Sequence, residues 1–77
     1  MLFLPDGRLV ATVPELNKVL IMEQNGKIVG NFGGEGGEPG KFNRPTGVAL
    51  SPEGQLFVVD SWNHRIQIFD PKGVPKL

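Results

Sequence analysis

Cysteine is absent from this chain, which excludes disulfides and thiolate metal sites. There is one histidine, His64, so a multi-histidine metal site cannot form within one chain. No charge predominates: eight basic residues balance eight acidic ones. That leaves no general attraction for nucleic acid or an anionic membrane. No apolar run approaches the roughly 20 residues of a membrane-spanning helix, and no membrane partner is expected. The apolar start, Met1-Leu2-Phe3-Leu4, breaks at once into the turn Pro5-Asp6-Gly7, whereas a secretory signal needs a basic start and a longer apolar stretch. Length is short as well, at 77 residues. Chains of this size bury little surface and usually lean on disulfides, metals or oligomerisation. With no cysteine and one histidine, the support must come from close packing or from more protein.

What the chain does have is an internal repeat. Sliding it by 47 residues, the separation of Gly7 from Gly54, sets Pro5-Asp6-Gly7-Arg8-Leu9 on Pro52-Glu53-Gly54-Gln55-Leu56. Without a gap, Lys18-Val19-Leu20-Ile21-Met22-Glu23 then falls on Arg65-Ile66-Gln67-Ile68-Phe69-Asp70, and Gly26 on Gly73. Identity is low but physical type is kept, turn residue on turn residue and β-former on β-former. The period lies between those of WD40 and kelch repeats.

Each repeat reads as strands. Val48-Ala49-Leu50 is a short apolar run ending at Ser51-Pro52-Glu53-Gly54, where an early proline and a final glycine suit a type I turn. Leu56-Phe57-Val58-Val59 is continuously apolar, as a strand buried on both faces is. Arg65 to Asp70 begins with alternation, which predicts one more exposed face. Pro71-Lys72-Gly73 is another turn. In the first repeat Arg8 to Val13 and Lys18 to Glu23 are the equivalent strands, and Asn25-Gly26 signals a hairpin into a fourth strand, Lys27 to Phe32. The fold class is therefore all-β, with two four-stranded antiparallel meanders as blades of a β-propeller. An eight-stranded barrel or sandwich is the alternative fold, but it gives no reason for one fixed spacing. The expected division is a degenerate blade over 1–33 with an incomplete first strand, a Gly-rich connection over 34–44, and a second blade over 45–77 with an incomplete last strand. Phe32, Phe42, Phe57 and Phe69 are expected in core and inter-blade packing.

Pro45-Thr46-Gly47-Val48-Ala49-Leu50 and Asp60-Ser61-Trp62-Asn63-His64-Arg65-Ile66-Gln67-Ile68-Phe69 resemble the NHL family, named for an Asn-His-Leu triplet that here reads Asn63-His64-Arg65. Gly36 to Pro45 resembles the segment leading into such a blade. The resemblance covers residues 33–73. The first repeat departs from it, with Val13 at the place of Asp60 and Leu16-Asn17-Lys18 at that of Asn63-His64-Arg65. The resemblance implies a propeller of about six blades. By the repeat alignment Met1 and Leu77 both fall within strands, so the chain reads as a fragment of a longer propeller or as a unit that closes a ring with other copies, as a trimer.

Asp60 and Arg65 flank a four-residue connection. They are read as an ion pair closing that loop, with Asn63 bonding to backbone amides. The resemblance implies the same structural role, since these residues recur from blade to blade. Gly33 to Lys41 is glycine-rich but is no phosphate loop. Glu35 stands where a glycine is needed and Phe42 where Ser or Thr would bind magnesium. It is read as a flexible link. There is no Ser-His-Asp set, nucleophile elbow or spaced carboxylate pair. No catalytic residue, metal site or cofactor is expected.

In a meander, alternate connections share an edge. The Gly33–Arg44 connection and the Ser61–His64 loop thus lie on one face, which is the expected binding face. Its candidate binding residues are Lys41, Arg44, Trp62 and His64, with Glu15, Glu35 and Glu38 nearby. The resemblance implies an interaction module that takes proteins or structured RNA, as in tripartite-motif ubiquitin ligases. A propeller enzyme similar to peptide-amidating lyase is the other class, and its metal ligands are missing. The acidic residues and balanced charge argue against RNA. A protein partner is the expectation, RNA the alternative.

Overall fold

A computed structural model of the chain describes residues 1–76. It contains two antiparallel sheets. The first comprises β1 (Leu2–Phe3), β2 (Leu9–Val13), β3 (Lys18–Met22) and β4 (Ile28–Gly33); the second comprises β5 (Pro45–Leu50), β6 (Leu56–Asp60) and β7 (Arg65–Phe69). Each is a simple meander in chain order. The only helical segments among the described residues are two single 3-10 turns, Pro14–Leu16 and Ser61–Asn63. They occupy equivalent places between the second and third strands of each sheet. The chain is all-β, built as two consecutive propeller blades.

Among the described residues the second sheet has three strands, not four. Its fourth is represented by a bridge between Phe69 and Pro75 and by the Lys76 N–H donating to the Ile68 carbonyl at 2.7 Å. The expectation for Leu77, that it lies within this last strand, falls outside the described residues.

Turn chemistry repeats with the sequence. Gly7, Gly26, Gly54 and Gly73 all donate their N–H to the carbonyl three residues back and all take φ between 86° and 91°. Three of these turns carry proline in the second position, Pro5, Pro52 and Pro71, whose fixed φ presets the turn. Asp6, Asn25 and Asp70 side chains accept from backbone N–H groups of Arg8, Lys27 and Lys72 and so hold the turns from inside. The repeat extends to the register. Phe3 pairs with Leu9 and Leu9 with Met22, as Leu50 pairs with Leu56 and Leu56 with Phe69. Asn17 and His64, one repeat apart, both adopt φ 55° to end their 3-10 turns.

The sheets stack face to face. Val10, Val19 and Ile21 of the first sheet, with Leu2 and Phe32, meet Leu56, Val58 and Phe69 of the second, with Val48 and Leu50. Cross-strand partners share a face. The inward face of the first sheet is therefore Leu2-Val10-Ile21 and Thr12-Val19-Phe32. In the second sheet the opposite face is inward, Val48-Val58-Gln67 and Leu50-Leu56-Phe69. Phe42, from the connection, is fully buried, and its ring centroid lies 5.5 Å from that of Phe69 and 6.2 Å from that of Phe32. Such tilted pairs contribute about 0.5–1.5 kcal/mol each beyond the area they bury.

One expectation changes here. Phe57 is outside the core, because strict alternation turns it with Val59 away from the first sheet. The alternation of β7 does leave one face more exposed, and that face is the apolar one: the polar Arg65 and Gln67 lie on the inward-facing side, while Ile66 is 61% exposed. The cause is the connection, whose backbone carbonyls take both polar side chains as donors.

Gly33 ends β4 at φ 117°, and a Cβ there would stand 2.6 Å from the Phe42 ring and 2.8 Å from the Asn17 carbonyl. A Cβ on Gly37 would meet nothing within 4 Å. We expect Gly33→Ala to destabilise the chain by roughly 1–3 kcal/mol through backbone strain and overpacking. Gly37→Ala should be neutral or stabilising by up to about 1 kcal/mol. Thermal melts of the two variants check the ordering.

Candidate functional site

Asp60 closes β6 with its side chain fully buried. A lone buried carboxylate is costly unless it is hydrogen-bonded and paired. Here Oδ1 accepts the Asn43 N–H at 2.7 Å. Oδ2 accepts from Asn63 Nδ2 at 3.0 Å, Arg65 Nε at 2.8 Å and Gln67 Nε2 at 3.2 Å. Burial raises the Asp60 pKa, but these donors outweigh it, and the carboxyl is held below its usual 3.8.

The same side chains reach past Asp60 to the connection. Arg65 Nη1 donates to the Gly37 carbonyl at 2.8 Å, and Nη2 to those of Glu38 and Lys41 at 3.0 and 2.9 Å. Asn63 Nδ2 also donates to the Gly36 carbonyl at 3.0 Å. Gln67 donates to the Lys41 carbonyl and accepts from the Gly40 N–H. The Asp60–Arg65 pair therefore grips the preceding connection as well as framing its own loop. Asn63 donates to one carbonyl and a carboxylate instead of accepting from backbone amides, and the nearby amide of the arriving connection, that of Asn43, is taken by Asp60. The connection, read as flexible, is folded on itself. The Phe42 N–H donates to the Gly34 carbonyl, Gly36 to that of Phe42 and Lys41 to that of Glu38.

Asn17 anchors the other side. Its carbonyl accepts the Gly34 N–H at 2.8 Å, and its Oδ1 accepts the Arg44 N–H at 2.8 Å. Sequence reasoning missed Asn17, Asn43 and Gln67. Asn17 had a signal, since it sits at the position of His64 and asparagine tolerates the left-handed conformation better than most residues.

The expected binding residues are dispersed in role. Arg44 and Trp62 come together, with the guanidinium carbon 5.3 Å from the indole centroid. The Trp62 backbone N–H donates to the Asn43 carbonyl, while the residue is 64% exposed. Thr46 and Ser61 hydroxyls bond to each other at the base of this loop. Lys41 is exposed, with Nζ 3.3 Å from the Gly33 carbonyl. His64 is exposed at the left-handed position that ends the 3-10 turn, and among the described residues its ring makes no hydrogen bond. Glu15, Glu35 and Glu38 are exposed around them.

This geometry is that of a propeller blade whose polar residues clamp the incoming connection. Residues 42–69 match the family model of the NHL repeat. Over residues 42–69 the chain therefore carries an NHL repeat. It is 51% identical over 43 residues to the E3 ubiquitin-protein ligase TRIM71 of Xenopus tropicalis, a match covering 56% of this chain and 5% of that protein. It is 48% identical over 42 residues to the B-box type zinc finger protein ncl-1 of Caenorhabditis elegans, covering 54% and 5%. The protein brain tumor of Drosophila melanogaster is 48% identical over 42 residues, covering 54% and 4%. The matched segment thus spans only about 5% of the length of these relatives.

We expect Arg65→Ala to cost about 1–3 kcal/mol, because it leaves Asp60 and three carbonyls short of a donor. Arg44→Ala should cost less, up to about 1 kcal/mol, because the half-buried Arg44 gives up a cation–π contact with Trp62 and, among the described residues, no ion pair. Urea melts compare the two. In Arg65→Ala, trypsin should also cut after Lys41 faster than in the parent chain, as mass spectrometry of timed digests reads.

Acid should undo the same clamp. The folded-state pKa of Asp60 is depressed, so its contribution is full above the ordinary value and is lost as pH falls through the folded one. We expect Asp60→Asn to be less stable than the parent at neutral pH, and the gap to narrow steadily below about pH 4. Urea midpoints taken across that range measure it.

Proposed function

We propose that this chain is an interaction module that binds a protein partner through the loop face carrying Arg44 and Trp62. The observation that carries the reading is an exposed indole at a loop whose backbone is otherwise fixed. The Trp62 backbone N–H is bonded to the Asn43 carbonyl, its neighbour Ser61 is tied to Thr46, and Arg44 lies over the ring at 5.3 Å. Tryptophan and arginine are the residue types that most often dominate protein interfaces, and a pre-ordered side chain loses less entropy on binding. Lys41 and His64 extend the surface with exposed charge and hydrogen-bonding capacity, and Glu35 and Glu38 supply the opposite sign for a partner's cations. We give Asp60, Asn63 and Arg65 a structural role only, because their polar atoms are already engaged with the connection. We assign the chain no catalytic step.

A second reading, single-stranded RNA, draws on the same pair, since an exposed aromatic with a cation beside it is also a stacking platform for a base. The balanced net charge disfavours it, because backbone affinity for nucleic acid needs excess positive charge.

Trp62 is the sole tryptophan, so its fluorescence reports directly on this face. Peptides selected from a random display library against the chain should shift that fluorescence on titration. Arg44→Ala should weaken them roughly tenfold or more, and Trp62→Ala should abolish binding measured by calorimetry. Peptides that bind Trp62→Ala unchanged would place the interface elsewhere. Salt-dependent quenching by oligouridine at physiological ionic strength, with no peptide selected, would transfer the function to RNA.

A further inference from the structure

An asparagine amide is chemically labile, and most so before glycine, which has no side chain to keep the next backbone nitrogen away from the asparagine Cγ. The chain has five asparagines, Asn17, Asn25, Asn31, Asn43 and Asn63, and Asn25 alone precedes a glycine. The others precede Lys18, Phe32, Arg44 and His64. Asn25 and Gly26 stand exposed at the tip of the β3–β4 hairpin, and a Cβ on Gly26 would meet nothing within 4 Å. Asn17 and Asn63 are half-buried, with their side chains bonded to other segments. Three hydrogen bonds hold the hairpin tip. The Gly26 N–H donates to the Glu23 carbonyl at 2.9 Å, the Glu23 N–H to the Lys27 carbonyl at 2.8 Å, and the Lys27 N–H to Asn25 Oδ1 at 2.9 Å. Glu23 to Lys27 are all exposed, so this tip opens locally without disturbing the core.

We propose that Asn25 is a modification site, a spontaneous deamidation centre that turns this hairpin tip from neutral to acidic. The Gly26 backbone nitrogen attacks Asn25 Cγ and gives up its proton. The new N–C bond closes a succinimide ring, and the Cγ–Nδ2 bond breaks as the amide group takes a proton and leaves as ammonia. Water then opens the ring at one of its two carbonyls. Opening at the Cγ carbonyl leaves aspartate in an ordinary backbone. Opening at the main-chain carbonyl leaves isoaspartate, linked to Gly26 through Cγ and carrying a free α-carboxylate. No oxidant or reductant takes part. The β1–β2 turn shows that aspartate fits. Asp6 precedes Gly7, and its Oδ1 accepts the Arg8 N–H at 3.1 Å, as Asn25 Oδ1 accepts that of Lys27. Asp6 Oδ2 adds a pair with Arg8 Nε at 2.7 Å, and Lys27 is a cation at the matching place. Isoaspartate instead inserts a methylene into the backbone, so the Gly26–Glu23 and Glu23–Lys27 bonds cannot both keep their register. Its free α-carboxylate is a methyl acceptor for an S-adenosylmethionine-dependent isoaspartyl methyltransferase. The tip lies at the opposite end of the strands from the Arg44–Trp62 loop, so either reading can fail without the other.

Timed incubation of the chain at body temperature and mildly alkaline pH tests it, with a parallel sample in urea to set the rate of the open turn. Trypsin releases the peptide Val19–Lys27, which holds Asn25 and no other asparagine. Mass spectrometry is expected to show this peptide gaining the mass of an NH2 replaced by OH, in two chromatographic forms with the isoaspartyl one the larger. Isoaspartyl methyltransferase with labelled S-adenosylmethionine is expected to label the same peptide. Conversion in the folded chain is expected to be slower than in urea, because the Gly26 N–H is bonded there, yet faster than at any other asparagine. An Asn25 still intact in the folded chain when the urea sample has fully converted would overturn the proposal. So would earlier conversion at Asn17, Asn31, Asn43 or Asn63, or an aspartyl product alone, which means direct hydrolysis without the ring.

Discussion

The fully buried carboxylate of Asp60 constrains everything around it. Taken from water, it needs donors on both oxygens, and it obtains them from four residues: Asn43, Asn63, Arg65 and Gln67. Only one of these donors is a backbone group, and it belongs to the connection. Satisfying Asp60 therefore draws residue 43 against the end of β6. Phe42 beside it is thereby directed between the sheets, where it meets Phe32 and Phe69. The polar clamp and the apolar core are thus one arrangement. The first supplies direction, since buried polar groups tolerate few geometries. The second supplies most of the driving force, since burial of apolar area dominates the favourable side of folding.

Turns and strands were legible in the sequence because their causes are local. Pro52 presets a φ angle, Gly54 permits a positive one, and the same pair at Pro5 and Gly7 repeats the turn. The register followed from the spacing of these turns. The clamp was legible only in part. Asp60 and Arg65 are complementary charges at a fixed spacing, so their pairing could be read. Gln67 could not, because an uncharged residue within an alternating strand resembles a solvent-facing one. Nor could Asn43, whose contribution is its backbone N–H, a group every non-proline residue has. Asn63 was read in the wrong sense for a similar reason. Its side chain both donates and accepts, and the choice was made by Gly36, a residue 27 positions away.

The degenerate first blade shows which parts of the repeat are needed for the fold of a sheet and which for joining sheets. Val13 and Lys18 pair across β2 and β3 as Asp60 and Arg65 pair across β6 and β7. The backbone ladder, the 3-10 turn and the left-handed residue that ends it all survive the change. What is lost is the grip on a preceding connection. Asn17 shows the same economy, because its carbonyl and side chain hold both ends of the following connection instead, at Gly34 and Arg44. The two blades therefore hold one link from both sides, the first through Asn17 and the second through Asp60 and its neighbours.

That division explains why β7 places its polar residues inward and its isoleucines outward. Alternation in a strand ordinarily marks polar residues as the solvent face. In β7 the inward polar positions, Arg65 and Gln67, are occupied by the clamp, and Ile66 and Ile68 are left on the other side. The continuous apolar run of β6 predicts a strand buried on both faces, but the structure buries only one of them, and Val59 on the other is 39% exposed. Leu56 and Val58 are covered by the first sheet, and Phe57 and Val59 project with Ile66 and Ile68 into open space. Both strands carry a pattern for two covered faces, while the chain covers one. The uncovered part of that pattern is confined to a single apolar face, made by Gly47, Ala49, Phe57, Val59, Ile66 and Ile68.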